Sequence, residues 1–177
     1  DGIRDVAVGL VGSEMCIRDS MYTLMPYENS LLVMSMNGPQ IKEVLERSYR
    51  NWWWYNQGYP WGGYSHYTTC MLATDEGNVI TYTGDLATEP DGNNVVSLTV
   101  GGVSVDFTDA TTYYNVSTVN YLAAGSCNFN NDGVTIWPLS QIVADTQFYV
   151  RDSVIDYVTA EGTISPAVEG RLVFPAP

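Results

Sequence analysis

Leu31-Leu32-Val33-Met34-Ser35-Met36 is an almost unbroken apolar run of strand length, and Asn37-Gly38-Pro39 follows it at once. A strand without polar alternation must be covered on both faces. Proline near a helix start is well placed, because its missing N–H would have no intrahelical partner there. The chain therefore needs a central strand, a sharp turn and a helix that returns over the sheet. Ile41, Val44 and Leu45 give that helix its apolar stripe. Glu43/Arg47 and Glu46/Arg50 are i,i+4 pairs on its wet side. The helix is expected to end near Asn51.

The rest of the chain mixes strand and helix signals. Trp52 to Tyr67 is rich in Trp, Tyr, Gly and Pro, and Gly58, Pro60, Gly62 and Gly63 mark it as a loop or flap. Val79 to Thr83 reads as a short strand. Asp85 to Asn94, with Pro90-Asp91-Gly92, reads as a connector. Val96, Leu98 and Val100 alternate with polar residues, and the alternation resumes after Gly101-Gly102 at Val103, Val105 and Phe107. This predicts a hairpin with one buried face. Tyr113 to Thr118 is a further strand. Asp145 is the expected N-cap of a helix from Thr146 to about Ala160, burying Val150, Val154, Tyr157 and Val158. Arg171 to Phe174 closes as a strand. The fold class is α+β, a mixed β-sheet with flanking helices.

Charge and residue counts exclude several functions. The 177 residues carry 20 acids and 7 bases, a net charge of −13. Such a surface argues against a nucleic-acid polymer or an anionic membrane as partner, since both select Lys/Arg stripes. A small pocket for one nucleotide is still compatible with it. No apolar run approaches spanning length. His66 is the only histidine, so neither a His-rich metal centre nor a Ser-His-Asp triad can be built within the chain. Asn128 to Gly133 resembles a calcium loop in composition but lacks its ligand pattern, and reads as a capped turn. Asn115-Val116-Ser117 fits a glycosylation triplet placed in a strand. Asp106 and Asp109 read as turn acids.

Residues 1 to 20 resemble a translated sequencing adapter. Asp1-Gly2-Ile3-Arg4-Asp5 and Leu10 to Ser20 match its two fixed blocks, and Val6-Ala7-Val8-Gly9 occupies the index position. Arg4, Asp5, Glu14, Arg18 and Asp19 break any signal-peptide core. The expected organisation is a non-native segment at 1–20 and one domain at 21–177, cut at about Met21 from a longer parent. Setting aside four acids (Asp1, Asp5, Glu14, Asp19) and two bases (Arg4, Arg18) leaves 16 and 5, a net charge of −11.

Two remote segments carry a family resemblance. Met25-Pro26-Tyr27-Glu28-Asn29-Ser30 is similar to Pro-Phe-Gly-Asn-Thr, and Asn120-Tyr121-Leu122-Ala123-Ala124-Gly125-Ser126-Cys127 to Asn-Phe-Leu-Ala-x-Gly-Gly-Asp. Both belong to the C-terminal domain of the 5′-nucleotidase family. Pro166-Ala167-Val168-Glu169-Gly170-Arg171 resembles its closing motif. The resemblance covers about Tyr22 to Phe174 and implies that Tyr27 and Tyr121 sandwich a nucleobase. Asn29 would bond the base edge, and Gly125 and Cys127 would belong to the same substrate-binding set. Cys127 stands where the family has a ribose-binding aspartate, and Ser126 replaces a glycine. A thiol is a poor acceptor, which puts ribose recognition in doubt.

The resemblance also implies an extracytoplasmic hydrolase. Catalysis would reside in an N-terminal metallophosphatase domain in cis, holding two divalent metal ions. This chain contains none of that domain's metal motifs, so it has no catalytic or metal residues of its own and is expected to be inactive alone. The small-molecule partner is a nucleotide or nucleoside. Once Cys16 is set aside, Cys70 and Cys127 form an even pair, compatible with a disulfide or with two buried free thiols. A competing reading from another class is a carbohydrate- or cell-surface-binding module built on the Trp-rich loop.

Overall fold

The computed structural model describes residues 20–57, 70–165 and 167–174. Strand β1 (Ser30–Asn37) is the organising element. It lies between β5 (Tyr113–Val119) and β8 (Ile142–Tyr149), antiparallel to both. Met34 and Met36 on β1 are fully buried, as the apolar run requires. Helix α1 (Gly38–Asn56) follows without a linker. Asn37 Oδ1 accepts the Gln40 N–H at 3.2 Å, and Gln40 Oε1 accepts the Asn37 N–H at 3.0 Å. This reciprocal capping box joins Pro39 in starting the helix.

Gly38 cannot be another residue in this backbone. A Cβ there would sit 2.0 Å from the Asp106 carbonyl oxygen. The Gly38 N–H also donates to the Asp109 carbonyl at 3.2 Å.

The second sheet has the order β4-β3-β2-β9. It comprises β2 (Val79–Tyr82), β3 (Val95–Val100), β4 (Val103–Ser104) and β9 (Leu172–Val173). The β2–β9 pair is parallel, and the others are antiparallel. One core cluster joins α1, β1 and this sheet through Ile41, Val44, Leu45, Tyr49, Met34, Ile80, Tyr82 and Leu98. The remaining elements are α2 (Asn120–Ala123), the hairpin β6 (Asn130–Asn131) and β7 (Val134–Thr135), a 3-10 turn at Leu139–Gln141, and α3 (Val150–Glu161). The α+β class is as the sequence predicts.

Four local expectations are corrected. α1 continues past Asn51 through Trp52, Trp53 and Trp54. Packing overrides the weak helix propensity of these rings: Trp53 is buried at 7% exposure, and Trp52 stacks on Phe174 at 4.7 Å between centroids. The rest of the expected flap, with His66, lies outside the described residues, as does Pro166 of the closing motif. In β3 the buried residues are Val95 and Leu98, while Val96 is exposed. The register shifts between Thr81 and Tyr82, a bulge that inserts one residue and breaks strict alternation.

Asp145 is not a helix cap. It lies in β8 opposite Leu32, and the helix begins only at Val150. The apolar β1 needs a partner along each edge, and that pairing outweighs the helical pattern. Consequently α3 buries Arg151 and Ile155, and Tyr157 is exposed. Finally, Glu46 and Arg47 do more than line a wet side. Glu46 accepts the Asn94 and Val95 N–H groups at 3.0 and 2.8 Å. Arg47 donates to the Asn128 and Asn130 carbonyls at 2.9 and 2.7 Å, and to the Asn131 side chain.

Candidate functional site

The ladder geometry brings the two remote segments to one place. Leu31 pairs with Val119 at the end of the β1–β5 ladder, and Ser30 pairs with Tyr149 of β8. Tyr27 lies four residues before Leu31, and Tyr121 two residues after Val119. Both segments, and the start of α3, therefore leave the same end of the first sheet. Asn120 joins the segments directly. Its Oδ1 accepts the Ser30 N–H at 3.2 Å and the Tyr121 N–H at 2.8 Å. The Asn29 carbonyl accepts the Val150 N–H at 2.9 Å, which fixes the first arm to α3.

Both tyrosine rings are open to solvent, Tyr27 at 77% exposure and Tyr121 at 52%. Neighbouring Ala123 and Gly125 are buried instead. Gly125 has φ +90°, and a Cβ there would lie 3.1 Å from Asn130 Cβ and 3.3 Å from Thr135 Cα. Its carbonyl accepts from Asn130 Nδ2 at 2.8 Å. Gly125 thus lets the second arm pack against the β6–β7 hairpin. That hairpin turns on Asp132 and Gly133, at φ 50° and 83°, as a two-residue turn with both φ positive requires. The calcium-loop composition of Asn128 to Gly133 is explained by this turn.

Cys127 is bonded to Cys70 through sulfur, with 6.1 Å between the Cα atoms. Cys127 and Asn128 both take left-handed backbone conformations, φ 55° and 64°. The buried Asn51 of α1 secures them: its Nδ2 donates to the Cys127 carbonyl at 2.8 Å, and its Oδ1 accepts from Asn128 Nδ2 at 3.1 Å. The second arm is thereby tied to α1 by Asn51 and Arg47 and to Cys70 by a covalent bond.

Other sequence candidates fall elsewhere. Asp106 accepts from the Thr108 hydroxyl and N–H, and Asp109 from the hydroxyls of Thr111 and Thr112 and the Thr111 N–H. These bonds hold both carboxyls below the usual carboxylate range. Both are turn acids at the far end of β1. Asn115 is exposed in β5, opposite Ser35. Trp53 is buried and cannot offer a ring face to a glycan. Among the described residues no three of His, Cys, Asp and Glu come together to hold a metal ion. No helix among them is long and apolar enough to cross a membrane. An open cleft with mixed charge, between Lys42, Glu46 and Arg50 of α1 and Pro90-Asp91-Gly92, lies along the outer face of α1, apart from the two arms.

The model of the 5′-nucleotidase C-terminal domain matches residues 13–131, more than half of the chain. The chain belongs to the 5′-nucleotidase C-terminal domain family. The match contains both arms of the site and begins eight residues before Met21. Solved structures support the fold. A 5′-nucleotidase precursor from Thermus thermophilus is similar at 24% identity and TM-score 0.59, over 89% of this chain and 27% of that one. The NAD nucleotidase of Haemophilus influenzae is similar at 20% identity and TM-score 0.60, over 90% and 26%. A putative 5′-nucleotidase from Staphylococcus aureus, solved in complex with alpha-ketoglutarate, aligns at 21% identity and TM-score 0.56, over 78% and 26%. The chain thus spans about a quarter of the length of these proteins. No curated protein matches it.

Sequence reasoning missed several polar residues of the helices around the arms. Arg151, Asn51 and Arg47 read as ordinary polar residues of amphipathic helices. The one available signal is the i,i+4 spacing of Arg151 and Ile155, which places the cation on the buried face.

Proposed function

We propose that this 5′-nucleotidase C-terminal domain binds the nucleoside part of a nucleotide between Tyr27 and Tyr121. The observation that supports the reading is the joining of both arms at one sheet end through Asn120, with both rings exposed. Aromatic faces stack on any nucleobase, and Asn29 offers both donors and an acceptor for a base edge. Cys127 is committed to a disulfide and offers no carboxylate, so recognition rests on the base more than on the sugar diol. In this reading a metallophosphatase domain in cis carries two divalent metals and hydrolyses the phosphoester, while the present chain supplies affinity and no turnover. The disulfide suits an extracytoplasmic location.

Titration of the chain with adenosine and with AMP, followed by intrinsic fluorescence, tests this directly. Tyr27→Ala and Tyr121→Ala are each expected to raise Kd roughly 5- to 150-fold, from stacking of ~1–3 kcal/mol per base. Unchanged affinity in both variants refutes the sandwich. Metal-dependent phosphatase activity that survives removal of host enzymes refutes the division of labour.

A further inference from the structure

Arg151 is 3% exposed, the one charged side chain among the buried residues described. Burying a guanidinium costs several kcal/mol unless partners compensate it. The three partners recorded for this guanidinium come from one short segment. Its Nη1 donates to the Met25 carbonyl at 3.3 Å. Its Nη2 lies 3.6 Å from Glu28 Oε1. Its Cζ sits 3.8 Å above the centroid of the Tyr22 ring. The buried Nε has no hydrogen-bond partner.

This is an unusual residue for the inner face of a helix. Ile155, one turn further along α3, is buried at the same face as an ordinary apolar residue. A second apolar residue at 151 would pack, but it would hold nothing beyond α3. The cation instead reaches across to the segment that carries Tyr27. That ring has little packing of its own, so its place in space is set by the backbone on either side. On one side is the Asn29–Val150 bond. On the other are Met25 and Tyr22, held by Arg151, which also pairs with Glu28 immediately after the ring.

We propose that Arg151 is a positioning residue for the Tyr27 arm: it fixes Tyr22 to Glu28 on α3 and so sets where Tyr27 meets a ligand. The arm and the cation are mutually dependent. Without the arm the charge is buried alone, and without the charge the arm loses its anchor. The ligand half of this proposal rests on the nucleoside reading above.

The test uses the full chain and two measurements. Limited chymotrypsin digestion without ligand, read by mass spectrometry, reports cleavage after Tyr22, Leu24 and Tyr27. Adenosine titration reports affinity. In Arg151→Met, cleavage at these sites is expected to rise about tenfold relative to cleavage elsewhere, and Kd to rise about tenfold, the equivalent of one hydrogen bond to a charged group. Arg151→Lys keeps a cation over Tyr22 but loses the planar fork, so it is expected to recover part of both losses. Tyr22→Leu serves as an independent variant on a half-exposed residue if Arg151→Met does not fold, with the same direction of change. Unchanged cleavage at these sites in either variant that folds overturns the proposal. Faster cleavage with unchanged adenosine affinity overturns the positioning role. A wild-type chain that binds no nucleoside overturns the functional reading instead, and the cleavage result then decides the anchor alone.

Discussion

Asn120 Oδ1 accepts the backbone N–H of Ser30 at 3.2 Å, across 90 residues of sequence. The same oxygen caps Tyr121 at 2.8 Å, so one carbonyl couples both halves of the candidate site. Asn120→Ala removes both bonds at an exposed position. We expect a loss of about 1 kcal/mol of stability, and a melting temperature lower by roughly 2–4 °C. Nucleoside affinity is expected to fall by more than this modest stability change explains. Paired thermal melts and titrations check it. Equal affinity in the variant argues against coupling of the arms.

Gly38→Ala probes the turn between β1 and α1. The added methyl would meet a backbone carbonyl, which cannot swing aside as a side chain would. The expected cost is about 3 kcal/mol, near the upper range for overpacking, or roughly 6–12 °C in melting temperature. A variant that melts with the wild type would show that the Asp106 turn moves freely.

The bond between Cys70 and Cys127 spans 57 residues. Chain-entropy reasoning assigns such a loop about 4 kcal/mol of stabilisation. Mass spectrometry after alkylation should count one modified cysteine, Cys16, without reductant and three with it. A Cys70→Ser/Cys127→Ser chain should melt well below wild type and lose nucleoside affinity, because the second arm is released. Three alkylated cysteines before reduction would rule the bond out.

Asp109 and Asp106 are expected to contribute to acid sensitivity at the other end of β1. Their carboxyls are held below the usual range by threonine hydroxyls and N–H groups. A depressed folded-state pKa stabilises the fold fully above the unfolded value near 4, and the contribution is lost as pH falls through the folded-state value. Stability is therefore expected to be flat from neutral pH down to about pH 4 and to drop below it. Asp109→Asn should flatten that acid limb in melts run from pH 6 to pH 2.5. An unchanged limb would assign the loss to other carboxylates.

The parts of this fold legible in the sequence are those whose signals are local. The apolar run of β1 and the Asn37-Gly38-Pro39 start of α1 each carry their own instruction. The end of α1 was not legible, because Trp52 packs on a ring brought from elsewhere, Phe174, and Trp53 is buried in the core. β8 was hidden for a different reason. It is an edge strand with mostly exposed side chains, and its pairing to β1 is made by backbone atoms that leave no pattern. The two tyrosine arms were legible only as a resemblance, since no periodicity links residues so far apart. The role of Arg151 was not legible beyond its i,i+4 spacing from Ile155. A cation on a buried face makes sense only once its partners are known.

The last rung, Leu31 opposite Val119, carries one further implication. Antiparallel strands stand about 5 Å apart at such a rung. A flat heterocycle clasped between two phenols needs about 7 Å of clear gap. In the proposed reading the two arms would therefore have to diverge after the rung, over Glu28, Asn29 and Asn120. On that reading, the thickness and tilt of what is gripped would depend on those positions, so a change of preferred ligand could arise there while both tyrosines stay in place.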